Sequence, residues 1–253
     1  MNLTYIGLEL KRIVRDPVSL FFTAGLPVFF YLVFGAAMSW GDGTVGNGNV
    51  SMLIMVSMAA YGAVTAAVAI GGMAAVERMQ GWGRQLGLTP LTDTGYVRVK
   101  VALAVLITII PIGLVYAAGA LTGSRGTAGA WSLSALILVI GAAMFALYGL
   151  IFGLAFRTEA AVSAASGSVV ILGFLGNLFF PLSGTLLTIA KFTPLYGLNA
   201  LALYPISEGY VLDGTTGAVT HEPLWIPFAN VAGWLLLLAI LATLLVRRSR
   251  NRQ

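Results

Sequence analysis

Residues 43–76 read GTVGNGNVSMLIMVSMAAYGAVTAAVAIGGMAAV, and no Asp, Glu, Lys or Arg interrupts them. Five further stretches are equally free of charge: 17–41, 101–124, 126–156, 160–190 and 223–246. Each is long enough for a helix of about 20 residues, the length that crosses about 30 Å of hydrocarbon. A charge near the middle of such a helix costs about 2.5–3.5 kcal/mol on insertion scales. Six clean gaps in 253 residues therefore predict an all-α polytopic membrane protein with six transmembrane helices. The apolar runs are continuous rather than alternating, which excludes a mature outer-membrane barrel.

Composition agrees. The chain is 58% hydrophobic and 9% charged, with a mean hydropathy of +0.93, far from the range of a soluble domain. The net charge of +5 is a matter of orientation. Basic residues gather at Lys11 to Arg15, Arg78 to Lys100, Arg157 and Arg247 to Arg252. With six crossings these clusters share one side, where 12 basic residues face five acidic ones for a net +7. The other side holds Arg125 and Lys191 against four acids, a net −2. The positive-inside rule then places both termini in the cytoplasm, in a multi-pass protein of the cell membrane, with a bacterial source expected. The basic balance implies contact with the lipid bilayer and its anionic headgroups, and no nucleic acid.

The chain has no cysteine and one histidine, His221, so disulfides and thiolate metal sites are excluded and no metal site is expected. The first uncharged stretch follows a polar segment of about 16 residues and is too long for a signal-peptide core, so it is expected to stay as a span.

The whole chain, 1–253, reads as one transmembrane domain. Residues 2–16 predict a short helix on the cytoplasmic membrane surface, with Leu3, Ile6, Leu10 and Ile13 on one face and Glu9, Arg12 and Asp16 on another. Asp16-Pro17 is a helix start, with the carboxylate as N-cap and proline at the first helical position. The expected spans are about 18–40, 50–76, 97–121, 130–156, 160–180 and 224–246. Pro27 is expected to bend the first, and the third contains Pro111. Gly149-x-x-x-Gly153 in the fourth is either a close-approach spacing or simply two glycines in an apolar helix. Between spans five and six, Leu182 to Ile206 is apolar but broken by Pro194 and Pro205. That pattern predicts one or two half-helices re-entering from the outer face, allowed at such depth only under cover of protein or a water-filled cavity.

Two segments are candidates for function. The first is the longest inner loop, ERMQGWGRQLGLTPLTDTGYVRVK, at 77–100. Thr89-Pro90 should stop one short helix, and Thr92 or Asp93 can cap the next. Read from its residues, with Met79, Trp82, Leu86 and Leu88 among basic neighbours, it is either a docking knob for a cytoplasmic partner or a membrane-hugging connector. The second is the outer region with Lys191, Tyr196, Asn199, Tyr204 and Glu208. Lys191 and Glu208 could meet as an ion pair or contact a substrate headgroup. The more ordinary reading puts both in the interface, with Lys191 snorkelling. Asn177, Phe179 and Phe180 could line a path or simply pack. Glu208, Asp213 and Glu222 are expected in a solvated loop, and Tyr5, Tyr31, Tyr116 and Tyr148 are scattered and point to nothing specific. No catalytic constellation is present, so no catalytic residue is assigned and the chain is not expected to be an enzyme by itself.

The order of these features resembles the permease subunit of type-two ATP-binding-cassette exporters. The resemblance is carried by Arg15-Asp16-Pro17 at the end of the N-terminal helix; by Glu77, Arg78, Leu86, Thr89-Pro90-Leu91, Tyr96 and Lys100 in the inner loop; and by Phe180-Pro181-Leu182-Ser183-Gly184 and Phe192-Thr193-Pro194-Leu195 outside. It covers essentially the whole chain. One departure is Gly81-Trp82-Gly83, richer in glycine than is usual for the docking segment. The resemblance implies that residues 2–16 are an elbow helix. It implies that the inner loop, with Glu77, Arg78, Gly81, Trp82, Arg84, Gln85, Leu86, Thr89 and Pro90, is the coupling helix seated on an ATPase. It also implies that the outer half-helices, with Asn177, Phe180, Pro181, Lys191, Pro194, Tyr196 and Asn199, form the outer gate or substrate path.

The chain has no G-x-x-x-x-G-K-[ST] loop to cradle ATP phosphates. The resemblance therefore implies a separate ATP-binding-cassette ATPase subunit carrying ATP and magnesium, no cofactor on this chain, and a second permease copy or a related chain. Spans of Ala, Gly, Leu, Val and Phe suit a hydrophobic or amphiphilic cargo, such as a drug, an antibiotic, a lipid-like compound or a peptide, and hence export in drug or antibiotic resistance. Against this stand an ion-coupled carrier or channel, which usually places Asp, Glu or His within its spans; a lipid-acting membrane enzyme; and a membrane anchor that recruits an ATPase without moving cargo.

Overall fold

The computed structural model describes residues 7, 11, 15–77, 93–156 and 158–250. Helix α1 starts at Pro17, whose missing N–H is harmless in a first turn; the Leu20 amide donates to Asp16 O at 3.0 Å. It runs through Pro17–Leu20, a π turn Phe21–Gly25, Leu26–Tyr31 and a second π turn Leu32–Ala36. In the first π turn the Leu26 amide reaches Phe21 O, the wider spacing that replaces ordinary helical bonds just ahead of Pro27. Most of the N-terminal 2–16 segment lies outside the described residues.

An antiparallel pair, β1 Thr44–Val45 and β2 Gly48–Asn49, turns the chain into α2, Val50–Glu77. Asn49 caps it, its Oδ1 accepting from the Met52 amide at 3.0 Å. Helix α3 is Asp93–Thr122, with Pro111 inside it, and starts where the expected cap at Thr92 or Asp93 puts it. Helix α4 is Ala128–Phe156, begun by Thr127, whose Oγ1 accepts from the Ala130 amide. Helix α5 is Glu159–Leu175, N-capped by Thr158. A bent pair follows, α6 Gly184–Ala190 and α7 Pro194–Ser207, meeting at 92°. A two-stranded hairpin, β3 Tyr210–Leu212 and β4 Val219–His221, leads into α8, Trp225–Arg250.

Among the described residues four helical stretches are long and apolar enough to cross a membrane, Val50–Ala74, Lys100–Thr122, Ala128–Phe156 and Trp225–Val246, or five if the bent pair is one span. Phe21–Ala36 and Ala160–Leu175 are shorter apolar helices. Large apolar side chains cover the outside, among them Phe21, Phe22, Ile140, Ile171, Leu236 and Leu244. Such a surface demands a lipid solvent.

The core lies around α2, which is enclosed by α1, α3, α4, α5 and α7, with Tyr31, Met52, Met55, Leu138, Phe145 and Leu198 fully buried. The closest crossing is α2 on α4. A Cβ at Gly71 would lie 2.0 Å from Ala146 O, and one at Gly149 would lie 2.1 Å from Val68 O. Backbone touches backbone there, so Gly149 is a close-approach glycine.

Two expectations need correction. The fifth helix ends at Leu175 rather than near 180. Gly176 caps it, and Asn177 takes a left-handed conformation, φ +59°, which Asn tolerates better than most residues. Pro205 does not break α7 but sits within its last turn; the break falls at 191–193, ahead of Pro194.

Candidate functional site

At the end expected to face inward, Glu77 closes α2 and Lys100 sits on α3. Their side chains meet at 2.6 Å, 18% and 5% exposed. This ion pair joins the two ends of the loop that carries the candidate docking residues. A buried pair of this kind is costly to break, because either partner alone is an uncompensated charge. Arg78, Gly81, Trp82, Arg84, Gln85, Leu86, Thr89 and Pro90 lie outside the described residues. Arg15 and Asp16 are exposed ahead of α1.

The end expected to face outward is more completely built. Lys191 does not pair with Glu208. Its Nζ lies 3.5 Å from Glu222 Oε1, while Glu208 accepts from Asn47 Nδ2 at 3.0 Å. Nor is Glu222 a solvated loop residue: it is 5% exposed, and the buried Tyr196 hydroxyl donates to its Oε2 at 2.6 Å. Tyr196 is held there by the first turn of α7, where Thr193 Oγ1 accepts from the Tyr196 amide and Pro194 fills the first position.

Asn199, also buried, donates from Nδ2 to Asn177 O at 3.2 Å. Asn177 Oδ1 in turn accepts from the Leu182 amide at 2.7 Å. The Asn199 amide nitrogen and the Asn177 carboxamide oxygen thus hold the turn after α5 against α7. Pro181 follows that turn, its carbonyl so close to Gly214 that a Cβ there would lie 2.0 Å away.

Phe180 is half exposed and belongs to an aromatic patch shared by α1, α2, α5 and the turn. Phe179 lies 5.3 Å from Tyr61 and 4.9 Å from Phe174, and Phe180 lies 6.1 Å from Phe174 and 6.4 Å from Phe34. Edge-on and offset contacts of this kind suit planar apolar groups.

Several structural residues were not singled out by the sequence. Tyr31 is fully buried, and its hydroxyl meets Ser51, Thr122 and Ser124 at 3.0, 2.8 and 3.0 Å, joining the outer ends of α1, α2 and α3. Tyr116 and Tyr148 likewise pair with Ser134 and Ser168 at 2.8 Å each, so these tyrosines are interhelical ties. Asn47 and Asn49 stitch the β1–β2 turn to α7 and to the α3–α4 loop. The Asn47 amide donates to Ile206 O, and Asn49 Nδ2 donates to Gly123 O.

The bend itself is capped from α8. Asn230 Nδ2 donates to Lys191 O at 2.7 Å and Thr193 O at 3.2 Å, and Trp234 Nε1 donates to Phe192 O at 2.9 Å. A polar residue inside an uncharged helix was the available signal for Asn230, since burying an unpartnered amide in an apolar medium is costly. Nothing local marked Glu222.

The chain is similar to a transport permease. Over 181 residues it is 25% identical to a Bacillus subtilis (strain 168) protein named "Putative transport permease YvfS", an alignment covering 68% of this chain and 71% of that one. No family model matches. With the long apolar helices, this likeness supports a transport-permease role in a membrane.

Proposed function

We propose that this chain is the transmembrane subunit of an ATP-driven exporter of the type-two ATP-binding-cassette class. It crosses the membrane six times and takes mechanical work from a separate ATPase seated on the 78–92 loop. The single observation that carries the reading is the closed base of that loop. Glu77 and Lys100 meet at 2.6 Å, where α2 ends and the apolar part of α3 begins, so a push on the loop reaches the central helix directly. The likeness to a named transport permease and the order of the sequence motifs support the same reading.

A bent helix pair is also a feature of ion-coupled carriers, whose unwound carbonyls coordinate the ion. In this chain Asn230 and Trp234 already occupy the carbonyls of Lys191, Phe192 and Thr193. No Asp, Glu or His stands within the uncharged stretches. Both points favour the ATP-driven pump.

The cargo is hydrophobic or amphiphilic. It would pass the aromatic patch of Phe174, Phe179 and Phe180 and leave by the outer cluster around Lys191, Tyr196 and Glu222. The test is uptake of a panel of fluorescent amphiphiles into inside-out vesicles holding this chain with its genomically neighbouring P-loop ATPase. The proposal expects ATP-dependent uptake that Trp82→Glu abolishes. Uptake that persists without the ATPase, or that follows an ion gradient instead, would overturn it.

A further inference from the structure

We propose that Asn230 and Trp234 of α8 are positioning residues that hold the α6–α7 bend, so that the outer half of α8 and the bend form one mechanical unit. The placing of that unit in a transport path rests on the function proposed above; the unit itself does not.

The bend interrupts a helix at 191–193 and turns the chain through 92°. An interruption strips carbonyls of their usual i+4 donors, and within an apolar region such groups must be satisfied by protein. The donors come from a different helix. Asn230 and Trp234 are four residues apart and share one face of α8. Between them they serve the carbonyls of Lys191 and Phe192, and Asn230 adds a second donor to Thr193 O, which already accepts from the Gly197 amide at 3.4 Å.

The orientation of the Asn230 amide follows from these partners, since only its Nδ2 can donate to a carbonyl. Its Oδ1 faces Gly197, where a Cβ would lie 2.1 Å away; glycine at that position lets the amide reach the bend. Asn230 is the one carboxamide in the uncharged stretch 223–246, and its donors are spent on the bend. The other hydrogen-bonding side chain of that stretch outside its Trp residues, Thr243, bonds within its own helix to Ala239 O.

A second tie lies beside the first. Glu222, just ahead of α8, meets Lys191 and Tyr196. The rest of α6 is poorly supported, with Leu186 and Ile189 exposed and Phe192 75% exposed at its end. Helix α8 is itself the least enclosed of the four long apolar helices. The α7 side of the bend is anchored in the core, so a peripheral helix tied at its outer end to the bend will carry α6 when it moves.

The chain lacks cysteine, so spin labels can be placed without background. The experiment measures the distance distribution between Leu186→Cys on α6 and Leu236→Cys on α8 in lipid nanodiscs, with Leu114→Cys on α3 and Leu136→Cys on α4 as a control pair. All four sites are exposed. No ATPase and no cargo are needed, so the result is independent of whether the chain transports anything. The proposal expects one narrow α6–α8 distribution that at least doubles in width in Asn230→Leu/Trp234→Phe. Trp234→Phe alone, which removes one donor and keeps the ring, should give an intermediate width, with the control pair unchanged throughout. An unchanged α6–α8 width in the double variant, or equal broadening of the control pair, would overturn it.

Discussion

Lys191 shows how far a single side chain can be read from sequence. Its position in an outer, interrupted apolar segment is read most simply as an interfacial charge that snorkels. Its partner is Glu222 rather than Glu208, and the buried Glu222 carboxylate also accepts from Tyr196, 26 positions earlier. Nothing within a few residues of Glu222 encodes that environment, whereas the charge-free stretches are encoded residue by residue.

Replacing Lys191 with Met should leave the Glu222 carboxylate with the Tyr196 hydroxyl alone. Lys191 is partly exposed, so water offsets part of the loss, and the expected cost is about 1–3 kcal/mol. Thermal unfolding in detergent should show a lower midpoint for Lys191→Met and most of the loss recovered in Lys191→Arg. Identical midpoints for the parent and Lys191→Met would contradict the pairing.

Asp213 makes a pH prediction in the outer hairpin loop. The Thr216 amide, then the Thr216 hydroxyl, then the Thr215 amide donate to its carboxylate and hold it below the ordinary value of 3.8. A depressed folded-state value means that the loop's extra stability is present above the ordinary carboxylate range. That stability is lost as pH falls through the lowered value. Amide exchange at Thr215 and Thr216 should therefore accelerate, beyond its intrinsic pH dependence, only on strong acidification. Asp213→Asn should remove that acid transition, and its persistence in the variant would refute the role of the Asp213 carboxylate.

At the scale of elements, helix existence was legible and helix ends were less so. Charge-free length marks a helix well because the cost of charge in hydrocarbon applies at every position. The end of α5 at Leu175 depends instead on the left-handed turn at Asn177 and its bond to Leu182, which hydropathy does not register. Pro205 misled for the opposite reason: proline was read as a stop, yet in the last turn of α7 it is accommodated.

The packing of α2 on α4 is the element-scale feature most sensitive to one atom. Gly149→Leu would drive a side chain into the Val68 carbonyl, only 2.1 Å from a Cβ. The helices must separate, at an expected cost of about 1–3 kcal/mol or more. The measurement is the yield of monodisperse protein in mild detergent, expected to fall for Gly149→Leu and to hold for Gly113→Leu, where a Cβ meets nothing within 4 Å. Equal yields would show that the contact is not needed. The ambiguity of Gly149 in the sequence was real, because spacing alone does not say which face meets a neighbour.

For the whole molecule, the two ends of the candidate machinery are separated by the spans. The inner loop base is closed by Glu77 and Lys100, and the outer bend is held by α8 and by Lys191 and Glu222. The division of labour proposed for the pump predicts that the purified chain alone hydrolyses no ATP. Turnover that co-purifies with the chain and survives removal of every P-loop protein would refute it.

The proposed pump depends most on which side of the membrane each end faces. In this cysteine-free chain, single cysteines at Arg84 and Thr215 can be probed in intact cells with a membrane-impermeant maleimide. A six-span exporter with its docking loop inside predicts labelling of Thr215→Cys from outside, and labelling of Arg84→Cys only after the membrane is opened. Labelling of Arg84→Cys in intact cells would contradict it.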